Sequence, residues 1–122
     1  MIGRAIALKF AAAGADVACV SRTAENSEKA AAEVRALGRK AWAYAVGVAD
    51  AKAVAAAGEK ILVDAGRVDV LVNNAGITRD GMFRKMTRAD WDAVIETNLT
   101  SLFNVTKQVI DDMTERGWGR II

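Results

Sequence analysis

Apolar and polar positions along the chain alternate between a helical and a strand period. Ile2, Ile6 and Phe10 recur at helical spacing, with Lys9 interrupting the apolar segment, which predicts an amphipathic helix over 1–13 that stops at Gly14. Asp16–Ser21, DVACVS, reads as a strand, and a second helix runs from about Asn26 to Leu37 and stops at Gly38. AWAYAV, Ala41–Val46, is a second strand. Asp50 fits the N-cap of a third helix that reaches Ala65 and ends at Gly66. Val68, Val70, Leu71 and Val72 then make a short β-branched run, too short for a helix and suited to a buried parallel strand. It ends abruptly in Asn73-Asn74-Ala75-Gly76.

Beyond that strand, 78–86 reads as a loop. Thr87 and Asp90 have N-cap spacing for a helix over Arg88–Thr97. A last helix covers Leu99–Arg116, with Leu99, Leu102, Phe103, Thr106, Val109, Ile110 and Met113 along one face and Gly117 and Gly119 closing it. Arg120, Ile121 and Ile122 look like the start of another buried strand. The order α-β-α-β-α-β-α-α-β predicts an α/β fold, a doubly wound parallel sheet with right-handed crossovers. No proline, linker or repeat divides it, so residues 1–122 read as a single domain. Ligands of such sheets bind just beyond the carboxyl ends of the strands, which makes Asn73–Gly76 the first place to look for a cofactor.

Composition narrows the chemistry. Apolar residues make up 52% and charged residues 26%, as in a soluble globular protein, and no apolar run approaches a membrane span. The apolar N-terminus reads as a helix rather than a signal peptide, and a cytoplasmic location is the default. A net charge of +2 is too small to argue for nucleic acid. The lone Cys19 excludes an internal disulfide and reads as a buried apolar residue, and with no histidine the chain offers no multi-cysteine or histidine metal site.

Ile2-Gly3-Arg4-Ala5-Ile6-Ala7, the strand ending in Ser21-Arg22, Asn73-Asn74-Ala75-Gly76 and Glu96-Thr97-Asn98-Leu99 together resemble the short-chain dehydrogenase/reductase family. From Ile77 onward the chain is most similar to the acetoacetyl-coenzyme A reductases of polyhydroxybutyrate synthesis, and less to the 3-oxoacyl-acyl-carrier-protein reductases. The resemblance implies a Rossmann-like sheet and NADPH-dependent reduction of a 3-oxoacyl thioester to the 3-hydroxyacyl form. It also implies that the family's first strand and most of its glycine-rich turn would precede Met1. The family's catalytic serine and Tyr-x-x-x-Lys pair would follow Ile122. The expected object is therefore a partial sheet from a reductase perhaps twice as long. Alone, it would be an inactive fragment that binds nucleotide weakly or contacts other subunits. Its sheet would be split by a slot about 10 Å wide, two strand spacings.

Carried onto single residues, the resemblance and the local chemistry give these expectations. Ile2 and Gly3 bring backbone N–H groups and a positive helix end to a phosphate. Arg22, where an NAD-selective site often has an acid, pairs with a ribose 2′-phosphate and favours NADPH. Gly47 lacks the side chain that relatives turn toward the adenine, leaving contact to backbone or Val48. Asn73 ties neighbouring strands through its amide. Asn74 meets a ribose, while Ala75 and Gly76 admit close approach of the backbone and Ile77 continues the wall. Asn98 is implied as the catalytic residue here, helping to hold a proton-relay water, and it marks a kink between two helical segments. Asp80 reaches the acyl thioester substrate. Trp91 and the Leu99–Met113 stripe pack against a second subunit.

Overall fold

The computed structural model describes residues 1–122. The chain folds into α1 (Ile2–Ala12), β1 (Val17–Ser21), α2 (Ala24–Ala36), β2 (Ala41–Ala45), α3 (Ala51–Ala65) and β3 (Val70–Leu71), then a 3-10 turn at Phe83–Lys85. α4 (Arg88–Ile95), a π-helical segment at Glu96–Thr100, α5 (Ser101–Arg116) and β4 (Arg120–Ile121) complete it. Every expected helix and strand is present. Of the five glycines placed at helix ends, Gly14, Gly38, Gly66 and Gly117 take positive φ, between 69° and 101°, and Gly119 does not.

β1 and β2 pair in parallel, from Val17 opposite Ala41 to Ser21 opposite Ala45. β3 and β4 also pair in parallel, Val70 opposite Arg120 and Leu71 opposite Ile121. The two pairs remain separate sheets, so β1 and β3 each keep an unpaired edge where the slot was expected. β3 is shorter than the Val68–Val72 run, because its partner offers few residues. Its ladder still extends outward through Arg120 N to Asp69 O, 3.0 Å, and Asn73 N to Ile122 O, 2.7 Å.

Alternation along β1 and β2 decides what each face buries. Cys19 and Ala41 point toward α1 and α2, where they meet Ala11, Ala31 and Val34 in the main core. Cys19 is buried as expected, and burial pushes its thiol pKa up. Tyr44 points to the other face. Its hydroxyl donates to Asp64 Oδ2 of α3 at 2.7 Å, and Lys60 Nζ reaches the same oxygen at 3.2 Å. Burial and the adjacent carboxylate raise the Tyr44 pKa. The bonds from Tyr44 and Lys60 hold Asp64 below the usual carboxylate range. Helices thus cover both faces of this pair.

α3 and α5 approach closely at Gly58. A Cβ built there would lie 2.8 Å from Gln108 Cβ. Helix propensity alone would make Gly58→Ala stabilising by about 1 kcal/mol. Overpacking against Gln108 opposes this by about 1–3 kcal/mol. The expected net result is a lower thermal midpoint, and a higher one would show that the helices move apart freely.

Two sequence expectations are corrected, the start of α2 and the role of Asn73, and two others are refined. α2 begins at Ala24, two residues early, because Thr23 caps it and accepts from Asn26 N at 3.4 Å. Asn98 does lie between two helical segments, α4 and α5, as expected. The backbone continues through the π segment into α5, so the distortion is one wide turn. The stripe on α5 is also divided. Val109 and Met113 are buried, whereas Leu99, Leu102 and Phe103 are exposed at 61%, 38% and 68%. The side facing α3 is instead partly polar, with Ser101 and Asn104 buried. Finally, Asn73 ties β3 to β4 through its main-chain N–H, and its side-chain amide takes no part. The Thr87–Asp90 signal forms a full capping box. The bonds from Thr87 hold the Asp90 pKa below its usual value.

Candidate functional site

Parallel pairing brings the ends of successive strands to one rim. Ser21 lies opposite Ala45, so Arg22 and Val46–Val48 leave the sheet side by side. The Ser21 hydroxyl donates to Thr23 O at 2.7 Å, and Ser27 Oγ donates to the same carbonyl at 3.2 Å, which fixes the loop around Arg22. The Arg22 side chain itself is exposed and forms no ion pair.

The N-terminus of α1 meets the end of β3. A Cβ on Gly3 would lie 2.6 Å from Asn74 Nδ2 and 3.3 Å from its Cγ, so only glycine leaves the Asn74 amide where it is. The N–H groups of Ile2, Gly3 and Arg4 make no hydrogen bond, and no acid stands in the first turn of α1. These donors lie at the positive end of the helix dipole, beside an exposed amide. Arg4 turns away, its Nε donating to Glu33 of α2 at 3.0 Å.

Ala75 and Gly76 are exposed and lead into the half-buried Ile77. There Asn98 acts as a strand partner in miniature. Its Oδ1 accepts from Ile77 N at 2.8 Å and its Nδ2 donates to Ile77 O at 2.9 Å. Gly76 is close by, as a Cβ on it would lie 3.5 Å from Asn98 Oδ1. The π segment thus aims one side chain at the main chain beyond the Asn-Asn-Ala-Gly turn.

The structure therefore joins Gly3 to Asn74 and Gly76 and Ile77 to Asn98, and it sets Arg22 beside the Gly47–Val48 turn. Space around Gly47 is open: a Cβ on it would meet no atom within 4 Å. Asp80 stands apart, exposed, on a cavity of about 260 Å³ lined by Arg79, Met82, Lys85, Met86 and Asp90 among others. One residue was not foreseen from the sequence. Asn104 is buried and its Nδ2 donates to Val48 O at 3.2 Å, 56 residues away. The polar spacing Ser101, Asn104, Gln108 on a helix otherwise marked by its apolar stripe was the available signal.

The short chain dehydrogenase family matches residues 1–122 throughout. The chain belongs to this family. Among its relatives, the acetoacetyl-CoA reductase of Cupriavidus necator is 56% identical over 124 residues, covering 99% of this chain and 50% of the relative. The 3-oxoacyl-[acyl-carrier-protein] reductase of Thermotoga maritima is 41% identical over 121 residues, covering 99% and 49%. The chain thus spans about half the length of these relatives. Among solved structures, an NAD+-bound xylitol dehydrogenase superimposes with a TM-score of 0.93 at 34% identity, covering 98% of this chain and 46% of that one. A metagenomic short-chain oxidoreductase in complex with NADP gives 0.92 at 35%, covering 98% and 54%. The fold is accordingly a partial Rossmann-like sheet, and the family activity is that of an oxidoreductase.

Proposed function

We propose that this short-chain dehydrogenase chain forms the adenosine-side wall of an NADPH site, in a reductase that converts a 3-oxoacyl thioester to its 3-hydroxyacyl form. The observation that carries the reading is the Gly3–Asn74 contact at the free N-terminus of α1, with the unpaired Arg22 on the same rim. These groups fit the cofactor's chemistry. Unbonded N–H groups at a helix start suit a phosphate, and a free guanidinium suits a 2′-phosphate. The similarity to an acetoacetyl-CoA reductase favours coenzyme A over acyl-carrier-protein thioesters.

Residue by residue, Ile2 and Gly3 would hold the pyrophosphate by their N–H groups and Arg22 the 2′-phosphate. Gly47 and Val48 would lie along the adenine, Asn74 would meet a ribose, and Ala75, Gly76 and Ile77 would line the approach. When bound, the reduced nicotinamide supplies a hydride to the 3-oxo carbon. Asn98, held to the main chain of Ile77 by both side-chain groups, would help to hold a proton-relay water. Asp80 would lie on the thioester side. The exposed Trp91, Leu99, Leu102 and Phe103 fit a subunit contact, which completes a homo-oligomer in the cytoplasm.

The proton for the new hydroxyl does not come from these residues. Tyr44, the single tyrosine, is buried between β2 and α3 with its hydroxyl on Asp64. Residues 1–122 alone are therefore expected to show no NADPH oxidation with acetoacetyl-CoA above a buffer blank. The same assay on a protein carrying this segment within the relatives' full length is expected to show it. Activity of the 122 residues alone would overturn the division of labour, and inactivity of the long form would overturn the substrate assignment.

A further inference from the structure

Gly47 and Val48 present no polar side chain to a nucleotide, so whatever they contribute depends on where their main chain is held. Three sets of bonds hold it. Asp50 N donates to Gly47 O at 3.0 Å, closing the turn. The Asp50 carboxylate accepts from Lys52 N and Ala53 N, both at 3.1 Å, anchoring the far side to α3. The third comes from outside the turn: Asn104 of α5, buried to 9% exposure, donates Nδ2 to Val48 O at 3.2 Å. Its main-chain carbonyl accepts from Gln108 Nε2 at 3.2 Å. A buried amide whose donor is spent on one loop carbonyl is costly to disturb and fixes that loop closely.

We infer that Asn104 is a positioning residue for the adenine side of the cofactor site, acting through Val48 and touching no ligand itself. The inference rests on the adenosine-site reading above. It also links α5, whose opposite face is apolar and exposed, to the rim that would hold the cofactor.

The test is calorimetric titration of the chain with 2′,5′-ADP, the adenosine half of NADPH without its nicotinamide. Asn104→Ala removes the donor, and Asn104→Asp removes it while keeping the shape, which covers the case in which the alanine variant fails to fold. Gln108→Ala is the control: it lies on the same buried side of α5 and makes no bond to Val48. Loss of one buried hydrogen bond at the turn is expected to weaken 2′,5′-ADP by about five- to tenfold in both Asn104 variants. Gln108→Ala should lower the thermal midpoint and leave the affinity within about twofold. If the unaltered chain binds 2′,5′-ADP and the Asn104 variants bind it equally well, the positioning role is wrong. The same holds if Gln108→Ala weakens binding as much. If the unaltered chain does not bind 2′,5′-ADP, the adenosine-site reading itself falls, and this role with it.

Discussion

Arg22→Asp is expected to reverse the cofactor preference proposed for the chain, from NADPH toward NADH. In the folded chain the Ser21 and Ser27 hydroxyls pin the loop at Thr23 O, while the guanidinium of Arg22 has no acidic partner. Such a cation is free to pair with a 2′-phosphate, and charge-assisted bonds of this kind are worth about 1.5–3 kcal/mol each. Replacing it with a carboxylate removes those bonds and adds repulsion against the phosphate. It also supplies an acceptor for an unphosphorylated ribose 2′-hydroxyl. Together these should move the ratio of NADPH to NADH dissociation constants by about 100-fold or more. Arg22→Ala should lose NADPH affinity without gaining NADH affinity. A ratio unchanged in both variants would remove Arg22 from the site.

Asn98→Ala is expected to have the second large effect, and on the fold as well as the site. Two hydrogen bonds from one side chain hold the N–H and C=O of Ile77, and alanine leaves both without a partner. The expected loss is about 1–3 kcal/mol of stability, with rapid exchange of the Ile77 amide hydrogen. Asn98→Asp separates the two bonds. The carboxylate still accepts from Ile77 N, but it can no longer donate to Ile77 O and meets that carbonyl with like charge. It should therefore destabilise at least as much as alanine, and more so as pH rises through the carboxylate range. Protection of the Ile77 amide that survives in Asn98→Ala would mean that the loop is held by other contacts.

The fold was readable because local signals agreed with it. Asp50 caps α3 as its position suggests, glycines end four helices, and the alternation of strands with helices made the parallel order legible. Readings failed where long-range packing competes with local pattern. The apolar stripe of α5 did not reveal which of its residues the core takes. α3 presents Gly58 to it, and the close approach takes Ser101, Asn104 and Gln108, leaving Leu99 and Phe103 outside. Propensity marked a kink at Asn98, but its partner Ile77 lies 21 residues earlier, and the wide π turn that aims the side chain has no signature in the residue pattern. The rim itself was partly legible. Gly3 and Asn74 each stood out separately, while their contact depends on how α1 lies against β3.

Titration of the 122-residue chain with NADPH, followed by the shifts of its backbone amides, tests the central claim most directly. Saturable shifts are expected at Ile2, Gly3, Arg22, Gly47, Val48 and Asn74–Ile77, with Arg79–Arg88 little changed. No saturable shift, or shifts gathered on Arg79–Arg88 instead, would contradict an adenosine-binding rim in this chain.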